Sequence, residues 1–134
     1  MTIDPETLEA PSNVARHLGT RLTDWRENFA RVECPLADFL LNRQGLPHGG
    51  IHALLLDTAM GYALSYTGDP QKRQGLLTLS MNVSYLAKAQ GNRLICEGWR
   101  SGGGRRTGFA EGKVMDAEGR VVATGTGVFR YHSM

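Results

Sequence analysis

The sequence is poor in the features that mark several large classes of protein. Its two cysteines, Cys34 and Cys96, lie 62 positions apart in strand-like stretches and in no CxxC pair. Neither a disulfide scaffold nor a thiolate metal site is indicated, and buried free thiols in a reducing cytoplasm are the expectation. Fifteen basic residues against thirteen acidic ones leave a net charge of only +2. That is too even to hold nucleic acid or an anionic membrane through a global field, so any anion recognition must be local. No apolar run approaches the ~20 residues that span a bilayer, and no charged-then-apolar leader opens the chain, so a soluble cytoplasmic protein is expected. Repeats, low-complexity tracts and linkers are missing, and a chain of 134 residues builds one core rather than two.

What is present is ordered pattern. Residues 1–19 are polar and broken by Pro5 and Pro11, which reads as a loosely ordered lead with a short helix near 12–18, before a single domain over 20–134. Phe29, Arg31 and Glu33 alternate with Ala30, Val32 and Cys34, the period-two signature of a strand, which Pro35 stops. Gly45, Pro47, Gly49 and Gly50 then lead into a helix from Ile51 to about Tyr66 whose apolar residues cover nearly every face, as in a helix inside a core. Next, Leu77, Leu79, Met81, Val83 and Tyr85 alternate with Thr78, Ser80, Asn82 and Ser84. Residues 93–99, 106–115 and 120–131 read as three further strands, the last two joined by the turn Asp116-Ala117-Glu118-Gly119. Gly108, Gly112, Gly125 and Gly127 inside these strands predict bends or close backbone approach. One strand, one apolar helix and four consecutive strands predict an α+β fold, an antiparallel meander curled around the helix.

Asp57 is the anomaly, a carboxylate in the apolar middle of that helix. The leucines before it predict shielding from solvent, raised proton affinity and a role as general base or nucleophile. At the helix start, His48-Gly49-Gly50-Ile51 is either an ordinary turn or a set of bare N–H groups that, with the helix dipole, polarise a carbonyl. At ~1.5 Å rise per residue Asp57 lies on the order of 10 Å from that start, so the two cannot easily act on one bond within one chain. A second subunit's helix running antiparallel would join them, which predicts a shared site at a dimer interface. His48 and His52 have i, i+4 spacing but lack the glutamate of HExxH, so no metal is expected. In the period-two reading Thr78, Ser80 and Asn82 share a face, either solvated or lining a cleft where a hydroxyl bonds Asp57 or a water. Gly102-Gly103-Gly104-Arg105-Arg106-Thr107 matches neither GxxxxGK[ST] nor GxGxxG and leads into a strand. It is a plain basic turn or, with Lys113 and Arg130 nearby, a site for a phosphate-bearing ligand.

Asn42, Gly45, His48-Gly49-Gly50, Asp57 and Gly61 form an ungapped pattern, N-x2-G-x2-HGG-x6-D-x3-G. With it the chain resembles the hotdog-fold acyl-CoA thioesterases of the PaaI-like, phenylacetate-pathway type over about residues 20–130. The resemblance implies a helix wrapped by an antiparallel sheet, dimers with a continuous sheet, commonly a dimer of dimers, and hydrolysis of acyl-CoA without a cofactor. It assigns Asp57 as general base or nucleophile and Gly49 with Gly50 as carbonyl-polarising N–H groups. Asn42 and His48 would position substrate or water, and Thr78 would orient the water. Tyr85, Gly104, Arg105, Arg106, Thr107 and Arg130 align with CoA-contacting positions, and Asn82 is grouped with them as a substrate-binding candidate. Leu54, Met60, Tyr62 and Met81 are expected around the acyl group. A non-catalytic acyl-CoA-binding protein and an enoyl-CoA hydratase or dehydratase are the alternatives.

Overall fold

The computed structural model describes residues 4–134. Two short helices come first, α1 (Pro5–Leu8) and α2 (Asn13–Leu18), capped by the side chains of Asp4 and Ser12, which accept from the N–H groups of Glu6 and Ala15. Strands β1 (Arg21–Arg26) and β2 (Phe29–Pro35) form a hairpin whose turn holds Asn28 at φ 65°. A 3-10 turn at Asp38–Leu40 precedes helix α3 (Gly49–Ser65). Four strands follow, β3 (Gly75–Tyr85), β4 (Arg93–Gly103), β5 (Thr107–Asp116) and β6 (Val121–His132).

These strands make one antiparallel six-stranded sheet, curved around α3, in the order β1-β2-β4-β5-β6-β3. This is the hotdog fold, with two differences from the expected connectivity. Where the alternation at 29–34 predicts one strand before the helix there are two: β2 covers that stretch and β1 pairs with it in a hairpin, because Asn28 takes the left-handed conformation that a tight reversal needs. The four later strands are not one meander. Only β4, β5 and β6 are, whereas β3 crosses to the far edge and pairs with β6. The link back from β3 to β4 is tied across the end of the sheet, with Leu86 N–H donating to Val122 O and Gln90 N–H to the Asp116 carboxylate. That carboxylate also accepts from the N–H groups of Glu118 and Arg120. These backbone bonds, Gln90's foremost, hold its carboxyl below the usual range.

Helix α3 buries His52, Leu55, Leu56, Ala59, Met60, Ala63 and Leu64 against the concave face. It sits deep because Gly98, Gly112 and Gly125 stand side by side on β4, β5 and β6. A Cβ at Gly98 would lie 2.6 Å from the Ala59 carbonyl carbon, and one at Gly112 or Gly125 would lie 3.0 or 3.1 Å from Leu56. The close approach expected of the strand glycines is therefore present, with Gly98, whose role needs the register to be seen, as its tightest point. Met60 points into this trough and is fully buried, so it belongs to the core rather than to an acyl pocket. Both cysteines are free and buried. No helix among the described residues is long and apolar enough to cross a membrane.

Gly98→Ala is expected to cost roughly 1–3 kcal/mol of stability, since the new methyl meets backbone that cannot step aside. Gly104→Ala, with nothing within 4 Å, should stay within about 0.5 kcal/mol of wild type. Urea unfolding of the two variants checks both values.

Candidate active site

Edge strand β3 runs along α3 and touches it at two places. Thr78 Oγ1 donates to Asp57 Oδ1 at 2.7 Å, and Tyr85 Oη donates to Gly49 O at 2.7 Å. Both contacts depend on a bulge. Thr78 pairs with Phe129 and Ser80 with Val128, so Leu79 is the extra residue and the alternation changes face there. Thr78 therefore faces the helix, as do Met81, Val83 and Tyr85 beyond the bulge. Ser80 and Asn82 stand on the opposite, convex face. The shared face expected for Thr78, Ser80 and Asn82 is thus split, and Asn82 is not brought to Asp57.

Asp57 is half-buried rather than enclosed. The stripe of α3 that carries it, with Ala53, Leu54, Thr58, Gly61 and Tyr62, stays partly exposed although Thr78 bonds Asp57 and Trp25 packs on Tyr62. An open cleft of ≈ 230 Å³ lies beside it, lined by Asp57, Thr58, Gly61, Tyr62, Leu76 and Phe129 among others. Gly61 helps to keep this cleft open, since a Cβ there would come only to 3.9 Å of Leu76. Asp57 Oδ2 is left to meet whatever enters.

At the other end of the helix, His48 is the N-cap, and its Nδ1 accepts the Gly50 N–H at 2.9 Å. The Gly50 N–H is therefore spent on the cap, and so is Ile51 N–H, which donates to His48 O. Gly49 N–H makes no hydrogen bond among the described residues, and it lies at the positive end of the helix dipole. Because Nδ1 accepts, a neutral His48 carries its proton on the exposed Nε2. Asn42 accepts from the N–H groups of Gln44 and Leu46 through Oδ1, which folds the loop before the helix and leaves its side-chain NH2 free to donate.

His52 makes no such contact. It is 6% exposed, its Nδ1 has no partner, and its ring meets Tyr85 edge-on at 5.8 Å. Burial lowers its pKa, so it stays neutral. Among the described residues no three metal-ligating side chains converge.

The basic turn is elsewhere. Gly104 N–H donates to Thr107 O, and Gly103 has φ 119° with no room for a Cβ, so the triple glycine makes a tight reversal. Arg105, Arg106 and Arg130 are exposed and enter no ion pair among the described residues. Thr107 and Leu77 flank Arg130 on the sheet, which groups these residues on the convex side, across the sheet from Asp57 of the same chain. Lys113 instead pairs with Glu97 at 3.8 Å.

The fold corresponds to a known family. A sequence profile described as the thioesterase superfamily matches residues 44–123, and the chain belongs to that family. A relative from Halobacterium salinarum, whose name describes it as a putative esterase, is 35% identical over 122 residues, covering 84% of this chain and 80% of its own. A conserved protein from Pseudomonas aeruginosa has a similar solved structure, with TM-score 0.82, 27% identity and coverage of 91% and 95% of the two chains. A thioesterase family protein from Silicibacter pomeroyi superposes at TM-score 0.83, covering 96% and 98%, and at 24% identity that likeness concerns the fold.

His52 sets an acid limit on this end of the molecule. Above its ordinary pKa of 6.5 it is neutral folded or unfolded and adds no pH dependence. As the pH falls below that value the unfolded chain takes up a proton that the folded one refuses, and stability drops until the lowered folded value is passed. Urea midpoints at pH 7.5 and 5.5 should fall for wild type and fall less for His52→Leu.

Proposed function

We propose that the protein is a hydrolase of acyl-CoA thioesters that works as a dimer with shared sites. Asp57 acts as general base through Oδ2, with Thr78 holding Oδ1 and fixing the carboxylate's orientation. Water in the open cleft loses its proton to Asp57 and attacks the thioester carbon. The oxyanion that forms is stabilised by Gly49 N–H at the helix N-terminus. Collapse of the tetrahedral intermediate breaks the C–S bond, and the CoA thiolate leaves and is reprotonated. Water and the chain's own groups balance this reaction. His48 Nε2, beside Gly49, and the free Asn42 amide of the preceding loop are the groups that would hold the carbonyl or the pantetheine arm.

Membership of the thioesterase superfamily supports the hydrolase class. The observation that carries the mechanism is the pairing of a half-buried, Thr78-bonded carboxylate with a free N–H that one chain keeps apart by about 12 Å of helix. A two-fold axis beside β3 would pair the edge strands antiparallel and bring Thr78 and Asp57 of one chain opposite Tyr85 and Gly49 of the other. The eleven-residue unpaired edge with exposed Leu77 and Leu79 favours such pairing. Arg105, Arg106 and Arg130 offer guanidinium groups to CoA phosphates. With Arg130 on the convex face and Arg105 and Arg106 in the turn at the sheet end, they would serve a ligand that rounds the sheet end or a neighbouring dimer in a dimer of dimers.

In a free-thiol assay over aryl, short-chain and long-chain acyl-CoAs, Asp57→Asn is expected to lower kcat by at least about 10²-fold with folding retained. Thr78→Val should lower it by roughly 10- to 100-fold, the worth of one hydrogen bond to a charged group. Gly49→Pro removes the N–H and adds a ring whose Cβ meets the Tyr85 side chain at 3.4 Å, an ordinary contact. The first helical position tolerates proline, and His48 at φ −59°, ψ 137° already has the extended conformation that a residue before proline requires. A kcat loss of roughly 10²-fold is expected there as well. An Asp57→Asn protein that keeps most of its turnover refutes the assignment.

A further inference from the structure

The cleft beside Asp57 shares a wall with a second space. Thr58 and Tyr62 line that cleft, and the same two side chains line a smaller, more enclosed void of ≈ 30 Å³ beneath the N-terminal segment, bounded by Glu9, Ala15, Leu22 and Val32. Tyr62 is the partition. Its ring meets Trp25 edge-on at 5.1 Å, and Trp25 Nε1 donates at 2.8 Å to its carbonyl, one of the unpaired acceptors in the last turn of α3. Its phenol faces Glu9, which Arg73 holds at 3.1 Å. Burial first, and then the Glu9 carboxylate, raise the phenol's pKa, so it remains a neutral hydrogen-bond donor.

We propose that Tyr62, braced by Trp25 and the N-terminal segment, determines acyl length by ending the Asp57 cleft, and so restricts the protein to thioesters of compact acyl groups, short aliphatic or single-ring. The inference rests on the thioesterase reading above. With its carbonyl at Asp57, an acyl group extends past Gly61, Leu76 and Phe129 and meets the Tyr62 ring. Tyr62 bounds the cleft along α3, so a longer chain meets its ring unless Tyr62 is gone. Removing the ring joins the cleft to the void beneath residues 9–15, whose Ala15, Leu22 and Val32 give a longer chain apolar surface.

The test compares Tyr62→Ala, Tyr62→Leu and Tyr62→Phe with wild type on butyryl-, hexanoyl- and octanoyl-CoA, and by calorimetry on the corresponding S-alkyl-CoA thioethers, which cannot be hydrolysed. The Ala and Leu variants should raise the octanoyl-to-butyryl ratio of kcat/KM at least about tenfold, chiefly through KM. Thioether affinities should shift in the same order, and Tyr62→Phe, which keeps the ring, should keep the wild-type ratio. Unchanged ratios in folded Ala and Leu variants overturn the proposal, as does a wild type that takes octanoyl-CoA as readily as butyryl-CoA. A wild type that hydrolyses none of the esters, while the variants still shift thioether binding toward longer chains, overturns the hydrolase reading and upholds the role of Tyr62.

Discussion

The close packing of α3 on the glycines of β4, β5 and β6, backbone to backbone at Gly98 and through Leu56 at Gly112 and Gly125, governs the rest of the molecule. Side chains on both surfaces would hold a helix and a sheet apart. Here Gly98, Gly112 and Gly125 remove one layer, and Ala59 settles against backbone. At that depth the Thr78 hydroxyl reaches Asp57 and the Tyr85 hydroxyl reaches the Gly49 carbonyl, both at 2.7 Å. The two ends of the site are thus set by packing in the core, and both are read out by one edge strand.

The bulge at Leu79 is the second requirement, since without it Thr78 and Tyr85 would lie on opposite faces of β3. A bulge cannot be read from hydrophobic alternation, because Leu79 fits the apolar series as well as its neighbours do. That is why the polar face expected for Thr78, Ser80 and Asn82 is divided in the fold. Strand order was equally hidden: β3 and β4 are neighbours in sequence, and only the pairing along the strands reveals that β3 belongs beside β6. By contrast, the helix and the turn at Asp116–Gly119 were legible, since each follows from local chemistry, whereas the alignment of Gly98 with Gly112 and Gly125 needed the register of three strands. The sequence also pointed to Asp57 and to the start of α3 as separate features. It did not distinguish Gly49 from Gly50, because the preference rests on His48 turning its own Nδ1 onto the Gly50 N–H.

A helix that is apolar on nearly every side but covered by its sheet on only one leaves the Asp57 stripe only partly covered in a single chain. The N-terminal segment covers one part of it, around Thr58 and Tyr62. A second chain along β3 would cover the rest and would turn a half-exposed carboxylate and a lone N–H into facing parts of one site. Dimerisation, acyl-group selection and chemistry would then share the same strip of helix.

Subunit complementation tests that account most directly. Gly49→Pro and Asp57→Asn chains are refolded together in equal amounts and assayed on a thioester that the wild type hydrolyses. Random pairing makes about half of the dimers mixed, and each mixed dimer has one site with both parts intact, so about a quarter of wild-type activity should return. A mixture no more active than its two parents, with mixed dimers demonstrated, would place both parts of each site in the same chain and contradict the account.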